Sequence, residues 1–230
     1  MINKLRCALC AAAVAMVSTA GSGQAATLDL VYDGSSAFGT PTWAESATIT
    51  YGTTSQSVGA GLMRLKDTIS GQSLTAFCID VFHFLGSRPG AYESTSTSLF
   101  SEAVTTNISR LYNTAYSLVD SAVEAAGFQF ALWEIVTETG GSLDIASGYF
   151  KADGSSGAET LASGYLAGLA GPATGNYDLT FLMSMKSPEG QDLISGSPSV
   201  AAVPLPASAL LLVGGLAGLG GMARRKRRAD

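Results

Sequence analysis

Thiols and imidazoles are scarce in this 230-residue chain, which has three cysteines and one histidine. Cys7 and Cys10 fall in an N-terminal stretch that reads as removable, so Cys78 is left alone. One thiol cannot close an intrachain disulfide. One cysteine and one histidine, His83, do not make a zinc signature. Basic charge is also sparse. Of 18 acidic and 13 basic residues, 17 acidic but only six basic ones lie between positions 26 and 202, a net charge of −11 for that segment. Binding nucleic acid requires basic patches that neutralise phosphate, so no nucleic-acid partner is expected. A Gly-rich phosphate loop before a helix, a Gly-x-Ser-x-Gly elbow and an internal repeat are missing too. Asp29 and Asp33 lack the dense acidic spacing of a calcium loop. No metal or other cofactor is expected.

The two ends carry the clearest patterns. Lys4 and Arg6 precede an apolar run from Cys7 to Ala20, and Gly23-Gln24-Ala25 has a small-x-small pattern. That order predicts a signal peptide over residues 1–25. At the other end, Val203-Pro204-Leu205-Pro206-Ala207 precedes an apolar stretch of Gly, Ala and Leu. The basic run Arg224-Arg225-Lys226-Arg227-Arg228 follows it. The apolar stretch is near the lower limit of about 17 residues for a membrane span, and the basic run favours a cytoplasmic end. A permanent tail anchor is one reading.

The tripartite segment 203–230 also resembles the bacterial PEP-CTERM sorting signal in its VPLPA variant. That resemblance implies export from a Gram-negative cell and transient anchoring in the inner membrane. It further implies an exosortase-type sorting enzyme as partner, and a destination at the cell surface or in an extracellular-polymer or biofilm matrix.

Residues 26–202 are the right size for one domain. Thr27 to Tyr32, Ala47 to Tyr51, Gly61 to Lys66, Leu74 to Val81 and Tyr177 to Met185 read as strands. Val104, Ile108, Leu111, Tyr112 and Ala115 recur at helical spacing behind Ser101. A second helix begins at Ser121, which has capping-box spacing to Glu124, and runs to about Thr137. Gly127 is expected to weaken its middle. Ser155 to Gly175 reads as loop or weak helix. The expected fold is mixed and mainly β: a β-sandwich or barrel with a helical insertion between the Cys strand and the Gln helix.

That second helix contains "GFQFALWEIV", in which Gln129 stands among apolar residues. Burying an amide is costly unless it gains hydrogen bonds or serves a chemical purpose. A cysteine sulfur attacking such a carboxamide would expel ammonia and leave a thioester. The paired segments "FCID" and "QFALWEI" resemble the internal thioester domains of bacterial surface adhesins. The resemblance puts Phe77-Cys78 on the strand motif, and Gln129, Ala131, Leu132 and Trp133 on the helix motif. It implies a Cys78–Gln129 thioester, with Phe77, Ala131 and Trp133 supporting the pocket. It also implies single-use covalent binding to an amine- or hydroxyl-bearing surface target, without enzymatic turnover.

Two other readings stay open. One is a non-reactive structural protein of the extracellular polymer, with Cys78 an inert core thiol. The other is a Cys-dependent enzyme, although His83 falls on the opposite face from Cys78 if one strand carries both. Asp80 reads as a solvated carboxylate at the strand end.

Overall fold

A computed structural model of the chain describes residues 26–199, apart from 35, 41, 139–140, 171–174 and 187–189. The expected signal peptide, the Val203–Ala207 motif, the apolar stretch and the basic tail lie outside the described residues. Contacts divide the chain into a unit ending at Gly196 and a second from Ser197 to Asp230, and the fold below is that of the first. Among the described residues, no helix is long and apolar enough to cross a membrane.

Six strands come first: β1 (Ala26–Tyr32), β2 (Ala44–Tyr51), β3 (Thr54–Gly61), β4 (Met63–Asp67), β5 (Ser73–Cys78) and β6 (Gly90–Thr95). Helices α1 (Glu102–Ala115) and α2 (Ala122–Thr137) follow. The order then runs β7 (Phe150–Asp153), α3 (Ser156–Gly168), β8 (Tyr177–Ser184) and β9 (Leu193–Pro198). The fold is mainly β, with a closed barrel β1-β4-β5-β9-β8-β6 beside a three-stranded sheet β3-β2-β7. α1 lies in sequence between β5 and α2, as expected, although β6 precedes it.

The expected strand over Gly61 to Lys66 is two strands belonging to two sheets. β3 ends at Gly61, β4 begins at Met63, and Leu62 makes the crossing. Glycine is required there because a Cβ on Gly61 would collide with the Trp43 carbonyl oxygen and the Ala44 Cα. The expected strand over Leu74 to Val81 stops at Cys78. Asp80 turns the chain just beyond it by accepting the Phe82 N–H at 2.8 Å, a local side-chain turn that competes with strand pairing.

α1 begins at Ser101, whose hydroxyl accepts the Val104 N–H, and it buries Ile108, Leu111, Tyr112 and Ala115. α2 begins at Ser121, whose hydroxyl accepts the Glu124 N–H while the Glu124 carboxylate takes the Asp120 N–H. From Ala125 to Ile135 every residue of α2 is buried, the mark of a helix enclosed by its neighbours rather than lying on a surface. Those neighbours include α1, α3 and strands of both sheets.

The segment expected to be loop or weak helix forms α3, capped by Ser155, with Ala158, Ala162, Tyr165 and Leu166 buried. Its low intrinsic propensity is overridden by packing against α2. Gly127 has a different part from the one expected of it. A Cβ at that position would lie 2.8 Å from the Leu161 Cβ and 3.0 Å from the Ala158 carbonyl oxygen. The glycine lets α2 and α3 approach closely.

Gly127→Ala therefore sets two effects against each other. Helix propensity favours alanine by about 1 kcal/mol, whereas overpacking a tight contact costs roughly 1–3 kcal/mol. Packing wins, so the variant is expected to lose up to about 2 kcal/mol in urea unfolding. An increase in stability would show that the α2–α3 contact is looser than described.

Candidate functional site

β5 and α2 meet along two adjacent pairs of residues. Phe77 stacks on Phe128, with ring centroids 4.5 Å apart and planes inclined by 25°. Tyr112 closes edge-on against Phe128 at 5.1 Å. One residue further along each element, Cys78 faces Gln129. The Cys78 N–H donates to Gln129 Oε1 at 2.9 Å, and Gln129 Nε2 donates to the Cys78 carbonyl oxygen at 2.8 Å. Gln129 is 1% exposed and Cys78 8% exposed.

Strand geometry explains why Cys78 has both backbone groups to offer. Alternate residues present their N–H and C=O to the same edge of a strand. Ile79 uses the β9 edge, donating to the Asp192 carbonyl at 3.0 Å. Ala76 and Cys78 therefore face the other edge, where β4 pairs only as far as Ala76, opposite Met63. The Gln129 amide continues the ladder at Cys78 in place of the missing strand. Without it, two buried backbone groups would lose their partners, at about 1–3 kcal/mol each.

Burial pushes the Cys78 thiol far above its ordinary value, and the nearby Asp80 carboxylate adds to the shift. The site does not favour a free thiolate. A neutral sulfur, whether protonated or acylated, is the form it accommodates.

Cys78 also borders a cavity of about 230 Å³. Its wall includes Tyr32, Trp43, Gln56, His83, Phe84, Trp133 and Gln191, and none of the described lining residues is Asp, Glu, Lys or Arg. Of the three residues expected to support the pocket, Trp133 lines this cavity, whereas Phe77 and Ala131 are buried in the core without lining it. Because β5 stops at Cys78, His83 is released from the strand alternation that would have put it on the opposite face. It lines the same cavity as Cys78, with Nδ1 2.6 Å from Asp80 Oδ2. Asp80 is thus engaged with His83 and the Phe82 N–H rather than simply solvated.

Sequence reasoning missed Gln56 and Gln191. Each donates its amide N–H to the turn after β5, Gln56 to the Val81 carbonyl and Gln191 to the Asp80 carbonyl, both at 2.8 Å. Neither has a motif around it; only the fold brings them beside Cys78.

No family model matches this chain, and no curated protein does. Among solved structures it is similar to the N-terminal domain of the Streptococcus pyogenes pilus tip adhesin Cpa. The identity there is 13% and the TM-score 0.40, over 70% of this chain and 97% of that one. It is also similar to the N-terminal thioester domain of a surface protein from Clostridium perfringens. That likeness has 13% identity and a TM-score of 0.39, over 67% of this chain and 99% of that one.

Next to Trp133, Glu134 is fully buried. Its Oε1 accepts the Asp144 N–H at 2.7 Å, while Oε2 has no hydrogen-bond partner among the described residues. Burial raises its pKa to about 7 from 4.5, and the Glu138 and Asp144 carboxylates push in the same direction. A raised folded-state pKa gives stability that is fully present below the unfolded value and lost as pH rises through the folded value. Glu134 is therefore expected to make the fold less stable across the window from 4.5 to about 7. Glu134→Gln should flatten that fall in urea unfolding series across this window. Parallel pH profiles for the two proteins would remove Glu134 as the cause.

Proposed function

We propose that the protein is an exported surface or matrix protein that attaches covalently to its target through a Cys78–Gln129 thioester. The observation that carries this reading is the pair of reciprocal hydrogen bonds holding the buried Gln129 carboxamide on the Cys78 backbone. The sulfur belongs to the same residue, so its attack on the amide is intramolecular, and the entropy of bringing the groups together is already met by the fold. The Cys78 N–H on Oε1 polarises the amide carbonyl and supports the negative charge that develops there. The carbonyl on Nε2 holds the group that leaves. Sulfur bonds to the Gln129 carbonyl carbon, the C–N bond breaks, and the thiol proton departs with the nitrogen as ammonia.

The acyl group then passes once to a nucleophile on the target, and Cys78 is released as a thiol. There is no turnover, so the protein is a single-use acyl donor rather than an enzyme. Export, an exosortase-type partner and transient residence in the inner membrane rest on the patterns of segments 1–25 and 203–230. A second reading has one observation in its favour. A thiol raised this far by burial also suits an inert core cysteine in a structural protein of the matrix.

Methylamine separates the two readings. Aminolysis should add methylamine at Gln129 and free the Cys78 thiol, one for one, in wild-type protein. Cys78→Ala should remain folded and take up no amine, and Gln129→Ala should leave Cys78 titratable as a thiol from the outset. Folded Cys78→Ala protein that still gains methylamine at Gln129 would contradict the sulfur's role.

A further inference from the structure

We propose that the free edge of β3 docks an extended, basic polypeptide segment, which adds to the three-stranded sheet as a fourth strand. Resting on the thioester reading, the docked segment brings a lysine amine to the site. β3 pairs with β2 along its whole length, from Tyr51–Thr54 to Ala44–Gly61, without a bulge. The two-residue loop Gly52-Thr53 closes this hairpin, and Gly52 has φ 59°, as the first residue of such a loop requires. The pair at the base of a two-residue loop is hydrogen-bonded, and the pattern alternates from there. Thr50–Ser55 is thus a non-hydrogen-bonded pair, and its two hydroxyls meet at 2.7 Å, in keeping with the closer spacing of such pairs. Ser55, Ser57 and Gly59 therefore turn their N–H and C=O groups away from β2.

Those groups are accessible. Ser55, Ser57 and Gly59 are all exposed, and a glycine has little but backbone to expose. Among the described residues, no backbone hydrogen bond outside the β2 ladder reaches this edge. The strand also lacks the usual protections of an edge, since Thr54–Gly61 contains no proline and no charged residue. The opposite edge of the sheet, at β7, is partly covered, because the Ala152 N–H donates to the Ile145 carbonyl at 2.9 Å.

The same edge runs along the cavity that Cys78 borders. Gln56, Ser57, Val58 and Gly59 all line it. Successive strand residues point to opposite faces, so a cavity bordered by four in a row follows the edge of the strand rather than one face. A strand added there lies about 4.8 Å from β3 and takes main-chain hydrogen bonds from Ser57 and Gly59. The exposed rings of Tyr32, Trp43 and Phe84, which border the same cavity, meet its side chains. The net charge of −11 between positions 26 and 202 favours a basic segment and disfavours a second copy of this chain. In the covalent step, the neutral lysine nitrogen bonds to the Gln129 carbonyl carbon, the C–S bond breaks, and a proton of the amine passes to sulfur. The products are an amide at Gln129 and a Cys78 thiol.

The probe is an acetylated, amidated octapeptide of threonine and valine with two lysines. Its control carries N-methyl groups at alternate residues, which keep the charge and remove the ladder. In Cys78→Ala protein, the octapeptide should slow amide hydrogen exchange at Ser57 and Gly59, and the control should not. In freshly prepared, non-reduced wild-type protein, peptide mapping should find the octapeptide's lysine on Gln129, ahead of the control. Ser57→Pro removes an N–H that β2 does not use, and it should lower octapeptide addition about five-fold relative to methylamine addition, the worth of one hydrogen bond. Ser57→Lys, which sets a repelling charge on the edge, should lower the same ratio. A loss of folding would depress both adducts together, so the ratio isolates docking. Methylamine addition with unchanged exchange at Ser57 and Gly59 would overturn strand addition and leave the thioester standing. Slowed exchange without an adduct of either amine, the Gln129 amide being intact, would overturn the thioester and the delivery of lysine with it. Exchange at Ser57 and Gly59 that slows with rising concentration of the protein alone would assign the edge to a second copy and overturn the docking of a basic segment.

Discussion

The site depends on one buried amide meeting one strand end. Gln129 lies on a helix enclosed by the protein core, where an unsatisfied carboxamide would cost several kcal/mol. β5 ends at Cys78 with two backbone groups exposed along the edge that β4 has left. Each element resolves the other's difficulty through the two hydrogen bonds at 2.9 and 2.8 Å. The Phe77–Phe128 stack one residue earlier fixes the register in which this happens. Gly127 lets α3 back the helix closely enough to hold it against the strand.

That constraint also defines the chemistry available. The amide carbonyl is polarised by the residue that would attack it, and the sulfur sits where charge is disfavoured and neutral bonds are tolerated. The break in β5 after Cys78 opens the adjacent turn, which brings His83, Gln56 and Gln191 to the border of one cavity with Cys78. Under the proposed function, the Cys78 backbone holds the amide that its sulfur attacks, and the same residue borders the cavity.

The sequence was most informative where a local physical rule acts on few residues. Ser101 and Ser121 announced their helices through side-chain caps, and the spacing of Ile108, Leu111, Tyr112 and Ala115 identified the buried face of α1. The mainly β character followed from short alternating segments, which left sandwich and barrel open. β3, β6 and β9 escaped notice because Gly, Ser and Thr make up half or more of each, and β7 because it has only four residues. α3 was undervalued for a related reason, since its small residues are poor advertisements for a helix yet are what its contact with α2 requires. At the site, Cys78 and Gln129 were legible from scarcity and context. The cavity was not, because its walls come from β1, β2, β3, β4, the turn after β5, α2 and the approach to β9.

The most direct measurement is the intact mass and peptide map of protein prepared without reductant and in amine-free buffer. A Cys78–Gln129 thioester predicts a mass one ammonia below that of the processed sequence, and a Cys78 that resists alkylation in the folded protein and in rapidly quenched, acid-unfolded protein. Full mass, an unmodified Gln129 peptide and a Cys78 thiol alkylated stoichiometrically once unfolded would contradict the account.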